Sequence, residues 1–199
     1  KALKDQLDKG IEVGPQSYLA GQAAKLFCEL TGNERASFVC TGSEAVYAAM
    51  RLARTVTGRD KIVVFTRDYH GNFDEVLVRS VGAPPQMRSM PIAPGIPFRA
   101  VSDMIVLDYG TDSALDYIRT HSGDIAAVLI EPVQSRRPEW RPVEFVKAVR
   151  QITAEKGCLM IFDEVITGLR AGPGGAQAFY GIRADLATYG KVVGGGMPS

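Results

Sequence analysis

A chain of 199 residues with 46% hydrophobic content and a mean hydropathy near zero can bury one substantial core and is too apolar to be disordered. Its 23 basic and 22 acidic residues leave a net charge of +1, which argues against nucleic acid or a membrane surface as partner and for a small molecule. No apolar run reaches the roughly eighteen residues of a membrane span, and Cys28, Cys40 and Cys158, odd in number and without metal-ligand spacing, argue against a disulfide framework and place the chain in the reducing cytoplasm.

The opening KALKDQLDKG reads as a charged helix and not as a signal peptide. The absence of an initiator Met and the abrupt ending in GGGMPS suggest a piece of a larger unit. Residues 18–30 carry apolar side chains at helical spacing and stop before Gly32. ASFVC (36–40), aromatic and β-branched, predicts a strand, and the amphipathic helix after it has Ser43 as its expected cap and Gly58 as its expected end. Strand candidates follow at 61–66, 104–109, 126–132 and 158–164, with helices at 113–121 and 142–157 between the later ones. Continuous apolar runs separated by helices predict an α/β fold, a mostly parallel sheet with helices on both faces. Residues 82–100 interrupt the alternation: Pro84, Pro85, Pro91, Pro94 and Pro97 exclude a helix or a central strand. The segment is either a stiff surface connection or a wall over the site, since ligands of open α/β sheets lie beyond the strand carboxyl ends.

Four motifs stand where strands end. In CTGSEA (40–45) the turn through Gly42 into a helix leaves unpaired amides that, with the Ser43 hydroxyl, could accept an anion such as phosphate; an ordinary capped helix is the alternative. In RDYHG (67–71) Tyr69 offers an aromatic face and His70 a supporting hydrogen bond, though Tyr69 could equally pack. IEPVQSRRPEW (130–140) ends a strand at Glu131 and presents Arg136 and Arg137, suited to a carboxylate or phosphate or else simply solvated. In LMIFDEVITG (159–168) Asp163 closes an apolar strand, where an ionised carboxylate costs several kcal/mol unless a cation meets it. With two histidines in the chain and no ligand cluster by spacing, no metal is expected, and a protonated ring nitrogen is the other solution. Lys191, after LATYG and before VVGGG, is expected to be buried at the same edge, its pKa lowered from about 10.4 so that it serves as an amine nucleophile. A phosphate cradle, an aromatic face, an acid awaiting a cation and a nucleophilic lysine together describe pyridoxal 5′-phosphate (PLP) held as a Schiff base.

TGSEA, DYHG, IEPVQ, FDEVITG and ATYGKVVGGGMP, in this order, resemble the motifs of the class III (subgroup II) PLP-dependent aminotransferases, near the glutamate-1-semialdehyde aminomutase branch. The resemblance covers essentially all 199 residues. It implies the large domain of a type I PLP-dependent transferase, residues 1–199 forming a partial PLP-binding domain without the small C-terminal domain, and a homodimer. By the same resemblance Lys191 forms the Schiff base, Asp163 pairs with the pyridine nitrogen, Tyr69 and Val165 flank the ring, Gly42 and Ser43 hold the phosphate, and His70 supports the ring or Asp163. Where many relatives have Gln this chain has Ile166, and Arg136 becomes the candidate for replacing its bond to the cofactor or for gripping substrate.

The SRRP wording (135–138) also resembles aminotransferase domains of polyketide synthase and peptide synthetase assembly lines. That implies transfer of an amino group from an amino-acid donor to a carbonyl acceptor, a β-keto acyl chain on an acyl carrier protein. An aminomutase moving the amine within one molecule would use the same residues. A non-catalytic scaffold would have no use for both Lys191 and Asp163, and a nicotinamide site lacks its glycine fingerprint.

Overall fold

The computed structural model describes residues 1–10, 17–82 and 87–197. The chain divides into two compact units, Lys1–Phe38 and Val39–Ser199. The first holds helices α1 (Ala2–Asp8) and α2 (Tyr18–Thr31). Ser17 caps α2 by accepting the Leu19 amide, and Gly32, left-handed at φ 73°, ends it.

The second unit opens with α3 (Gly42–Thr57) and continues through β1 (Lys61–Phe65), β2 (Val78–Val81), β3 (Arg88–Pro91), β4 (Met104–Leu107), α4 (Asp112–His121), β5 (Ile125–Ile130), α5 (Val143–Lys156), β6 (Leu159–Asp163), α6 (Gly175–Tyr180) and β7 (Leu186–Thr188). Five of these strands form one parallel sheet in the order β4-β1-β5-β6-β7. Side chains alternate across a strand, so a sheet covered on both faces needs apolar residues at successive positions, as these strands have between polar ends such as Lys61, Asp163 and Thr188. On one face Val46, Met50 and Ala53 of α3 pack with Ile62, Val64, Leu129 and Ile161. On the other, Ile118 of α4 and Val146, Val149 and Ile152 of α5 pack with Val63, Phe65, Ile130, Met160 and Phe162. Burial of each such side chain contributes about 1.5–3 kcal/mol, which is what fixes the sheet edge where the chemistry lies.

One expectation about the elements is corrected. Residues 36–40 form no strand; Phe38 and Val39 are exposed, and β-propensity without a partner strand to pack against does not make one. The proline-rich segment is more structured than its composition suggests. Arg88–Pro91 pairs antiparallel with Val78–Val81 in a separate two-stranded sheet, a setting that tolerates proline at a strand end. Pro84 and Pro85 lie outside the described residues, and no described residue of 82–100 lines the cavity of the site. Among the described residues no helix is long and apolar enough to cross a membrane.

The strand order positions the site. The chain leaves β1 for β4 on one side, then returns across β1 to β5 on the other. Connections diverge at such a reversal and leave a crevice beyond the strand carboxyl ends.

Candidate active site

A cavity of about 220 Å³ lies at that crevice. Four strands deliver its polar residues just past their carboxyl ends: Tyr69 and His70 after β1, Glu131 after β5, Asp163 on β6 and Lys191 after β7. Thr41, Gly42 and Ser43 close it from the N-terminus of α3, and Val165 and Ile166 contribute apolar surface. Every expected site residue except one therefore meets in a single cavity. Arg136 does not; it is exposed on the loop after β5, outside the lining, while Arg137 lies 4.3 Å over the Trp140 ring.

The α3 terminus is built by a capping box, with Thr41 and not Ser43 as the cap. Thr41 Oγ1 accepts the Glu44 amide at 3.1 Å, and the Glu44 carboxylate accepts the amides of Thr41 at 3.2 Å and Cys40 at 2.7 Å. The T-x-x-E spacing carried that signal in the sequence. Freed from capping, Ser43 Oγ accepts the Asn72 amide at 3.1 Å and keeps its own proton to donate. The Gly42 and Ser43 amides are first-turn donors that the box does not use, at the positive end of a helix of 16 residues.

Two glycines lie in close quarters here, and at Gly71 the backbone and the space both exclude a side chain. A Cβ on Gly42 would stand 3.2 and 3.3 Å from the Val165 methyls, and one on Gly71, whose φ is 118°, would stand 2.6 Å from Ser43 Oγ. A side chain at Gly42 would press on Val165 and one at Gly71 on Ser43, both of which line the cavity. Phosphate is the anion such a terminus fits.

Opposite lies a buried charged network. His70 Nδ1 meets Asp163 Oδ2 at 2.9 Å, while His70 Nε2 faces Asp68 Oδ2 at 3.3 Å in an alignment too poor for a full hydrogen bond. Asp163 Oδ1 accepts the Val165 amide at 3.1 Å and the Thr188 hydroxyl at 3.4 Å. Burial works against a charged imidazole, yet the hydrogen bond with Asp163 and the Asp68 carboxylate outweigh it and carry the His70 pKa to about 10. Burial and the charge of Asp68 push Glu131 up to about 7, against the opposing hydrogen bond from the Tyr69 amide. Glu131 accepts that amide at 2.9 Å and the Ser135 amide at 3.2 Å.

Both shifts have the same sign: the folded chain holds these protons more tightly than the unfolded one. Their stabilising contribution is complete below the ordinary values of 4.5 and 6.5 and is lost as pH rises through about 7 and about 10. Thermal melts of the full-length protein across pH 6.5 to about 10 should show Tm falling, and falling less in a His70→Gln variant. Equal slopes would remove His70 as the source.

Lys191 differs from expectation. It is exposed, on a short 3₁₀ turn whose neighbours Gly190, Gly194 and Gly195 carry no side chain to cover it. Its backbone is left-handed, φ 51°, a conformation costing a non-glycine residue on the order of 1 kcal/mol and concentrated at functional sites. Glu164, beside Asp163 in sequence, serves structure: its carboxylate accepts the amides of Ala176 at 2.8 Å and Gln177 at 3.0 Å, holding the start of α6. Asp68 and Gln134, in RDYHG and IEPVQ, are the further site residues that the structure adds. The spacing D-x-H, which places two side chains on one side of an extended backbone, was the available signal. Among the described residues no His, Cys, Asp and Glu cluster of three or more is arranged to hold a metal ion.

The class III aminotransferase family model matches residues 1–199. The chain belongs to the class III aminotransferases. It is 38% identical over 201 residues to a glutamate-1-semialdehyde 2,1-aminomutase of Alkaliphilus oremlandii, covering 100% of this chain and 47% of that protein. It superposes with TM-score 0.91 and 33% identity on an omega-transaminase from Sphaerobacter thermophilus, covering 99% of this chain and 47% of that one. A transaminase solved with PLP bound gives TM-score 0.89 at 30% identity, with coverage of 99% and 46%. This class III chain thus spans about half the length of the relatives it matches. Its α/β sheet is that of the type I PLP-dependent transferases, and PLP is the cofactor class III aminotransferases use.

The site fits that group. The glycine-lined α3 terminus suits its phosphate, and the buried Asp163 carboxylate offers an anion to a protonated ring nitrogen. Lys191, on the same cavity, supplies a primary amine.

Proposed function

We propose that this chain carries the cofactor-binding part of a PLP-dependent aminotransferase, which moves an amino group from an amino-acid donor to a carbonyl acceptor. The supporting observation is the convergence on one cavity of a lysine, a buried strand-end carboxylate and a helix terminus cleared by glycine. When bound, PLP supplies an aldehyde that joins amines covalently and a ring that withdraws electrons from the carbon losing a proton. Gly42 and Ser43 would hold the phosphate through backbone amides and one hydroxyl. Tyr69 and Val165 would flank the ring. Asp163 would keep a proton at the ring nitrogen, with His70 fixing the orientation of its carboxylate. The Lys191 amine would anchor the cofactor and, once displaced, take the proton from the donor's α-carbon and return it beside the ring.

Residues 1–199 correspond in this reading to most of the large domain, in a homodimer whose partner and remaining domain complete the pocket. A cytoplasmic setting is supported by three free cysteines. For the acceptor, a β-keto acyl group on an acyl carrier protein remains the proposal. Arg136, exposed outside the cavity, does not contribute to the cofactor site in this reading.

The test is to load the full-length protein with PLP, present amino acids singly, and measure the keto acid released. Retention of PLP with no keto product from any donor overturns transamination. The aminomutase names of the curated relatives favour one second reading: a substrate carrying both amine and carbonyl would then isomerise without net release of a keto acid.

A further inference from the structure

Behind the cavity wall lies a carboxylate that the reading above does not use. The Asp68 side chain is 1% exposed and does not line the cavity, yet it faces the imidazole edge opposite Asp163. We propose that Asp68 is a positioning residue, gripping His70 from behind so that the imidazole stays doubly protonated and Asp163 keeps its negative charge directed at the cavity. The proposal deepens the PLP reading and rests on it.

The geometry supplies the reason. Each ring nitrogen of His70 faces a carboxylate oxygen, Asp163 Oδ2 at 2.9 Å and Asp68 Oδ2 at 3.3 Å. Burial raises the Asp68 pKa, opposed by its contacts with His70 and Gln134; with both carboxylates ionised, a neutral imidazole, which carries one N–H, would present a lone pair to one of them at close range, and only the imidazolium offers an N–H to each. With a single carboxylate partner, His70 would either go neutral or cancel the charge of Asp163. With two, one positive ring sits between two negative groups, and net negative charge is left where a ring nitrogen's proton would need it. Glu131, on the same cavity, responds to that field: burial and the charge of Asp68 push its pKa up to about 7.

Asp68 is itself held in place from the loop after β5. Its Oδ2 accepts the Glu131 amide at 3.2 Å, and its Oδ1 accepts Gln134 Nε2 at 2.6 Å. That same Nε2 donates to the Thr66 carbonyl at 2.8 Å, which sets the orientation of the amide. Gln134 Oε1 is left buried without a partner among the described residues, so this amide is committed to donation at the expense of its own acceptor. Arg67, immediately before, is left-handed at φ 75°, a strained turn for a non-glycine residue that directs Asp68 inward. Held partners of this kind, one step removed from the group they tune, are how sites fix tautomer and orientation.

The test is ¹⁵N-histidine NMR on the full-length protein, with and without PLP, the His70 signals being assigned by their loss in His70→Gln. Both ring nitrogens should be protonated at neutral pH without cofactor. Asp68→Asn should bring the His70 pKa down toward about 6.5 and weaken PLP retention in equilibrium dialysis by about tenfold, the equivalent of one pKa unit. Asp68→Glu should restore part of both. A neutral His70 in the parent protein overturns the proposal even if Asp68→Asn fails to fold. So does an Asp68→Asn protein whose His70 remains doubly protonated while PLP is held equally well. If His70 responds as expected but neither protein holds PLP, the clamp stands and the aminotransferase reading falls.

Discussion

Full-length protein carrying Lys191→Ala is expected to keep its fold and to lose amino transfer by a factor on the order of 10⁴, because the proposed function makes one side chain both cofactor anchor and proton-moving base. The fold survives since Lys191 is exposed, on a 3₁₀ turn outside both core clusters. Alanine must still adopt the left-handed backbone at φ 51°, so no strain is relieved. Borohydride reduction followed by peptide mass spectrometry provides the check: the parent should carry a pyridoxyl adduct on the peptide holding Lys191, and the variant none. Partial rescue of turnover by a small added amine would show that proton transfer, and not only anchoring, was lost. An adduct on a different lysine, or undiminished turnover, would remove Lys191 from the chemistry.

The second large effect is expected at Asp163. Asp163→Asn preserves shape and can still accept the Val165 amide and the Thr188 hydroxyl, but it removes the negative charge that would face the ring nitrogen. Turnover should fall by about 10²–10³, the size typical of a lost preorganised electrostatic partner, while the adduct at Lys191 still forms. Breaking a buried ion pair ordinarily costs about 3–5 kcal/mol through the charge left behind. Here His70 retains Asp68, so denaturant melts should show a loss below that range. Steady-state kinetics and melts on one preparation separate the two effects. Turnover equal to the parent's would mean that the ring nitrogen meets some other acid.

The sheet and its helices were legible because both core faces leave a continuous apolar record. Each of the four predicted runs from 61–66 to 158–164 contains a strand, bounded within a few residues. The run at 36–40 looked the same by composition, yet strand formation depends on a neighbour that composition does not reveal. Most of the candidate site could be read because strand-end residues bear chemistry that a core would not tolerate, Asp163 being the plainest case. The exposure of Lys191 could not be read, since it depends on how far a glycine-flanked turn stands from the sheet edge. Arg136 was drawn toward the site by its chemistry alone, and the loop after β5 directs it elsewhere. Asp68 carries no such signal because its partners come from the same turn and from the loop after β5, which meet only in three dimensions.

The reversal in strand order also sets a timetable for synthesis. β1 sits in mid-sheet, with Ile62 paired to Met104 on one side and to Ala127 on the other, so a chain leaving the ribosome holds this apolar strand with both edges bare until β4 and β5 emerge. Parallel pairings between such distant segments close slowly. Lys191 arrives later still, after β7. A ligand that bridges the α3 terminus and Lys191 would therefore act as a late fastener, binding the completed arrangement and drawing the nascent chain toward it by mass action.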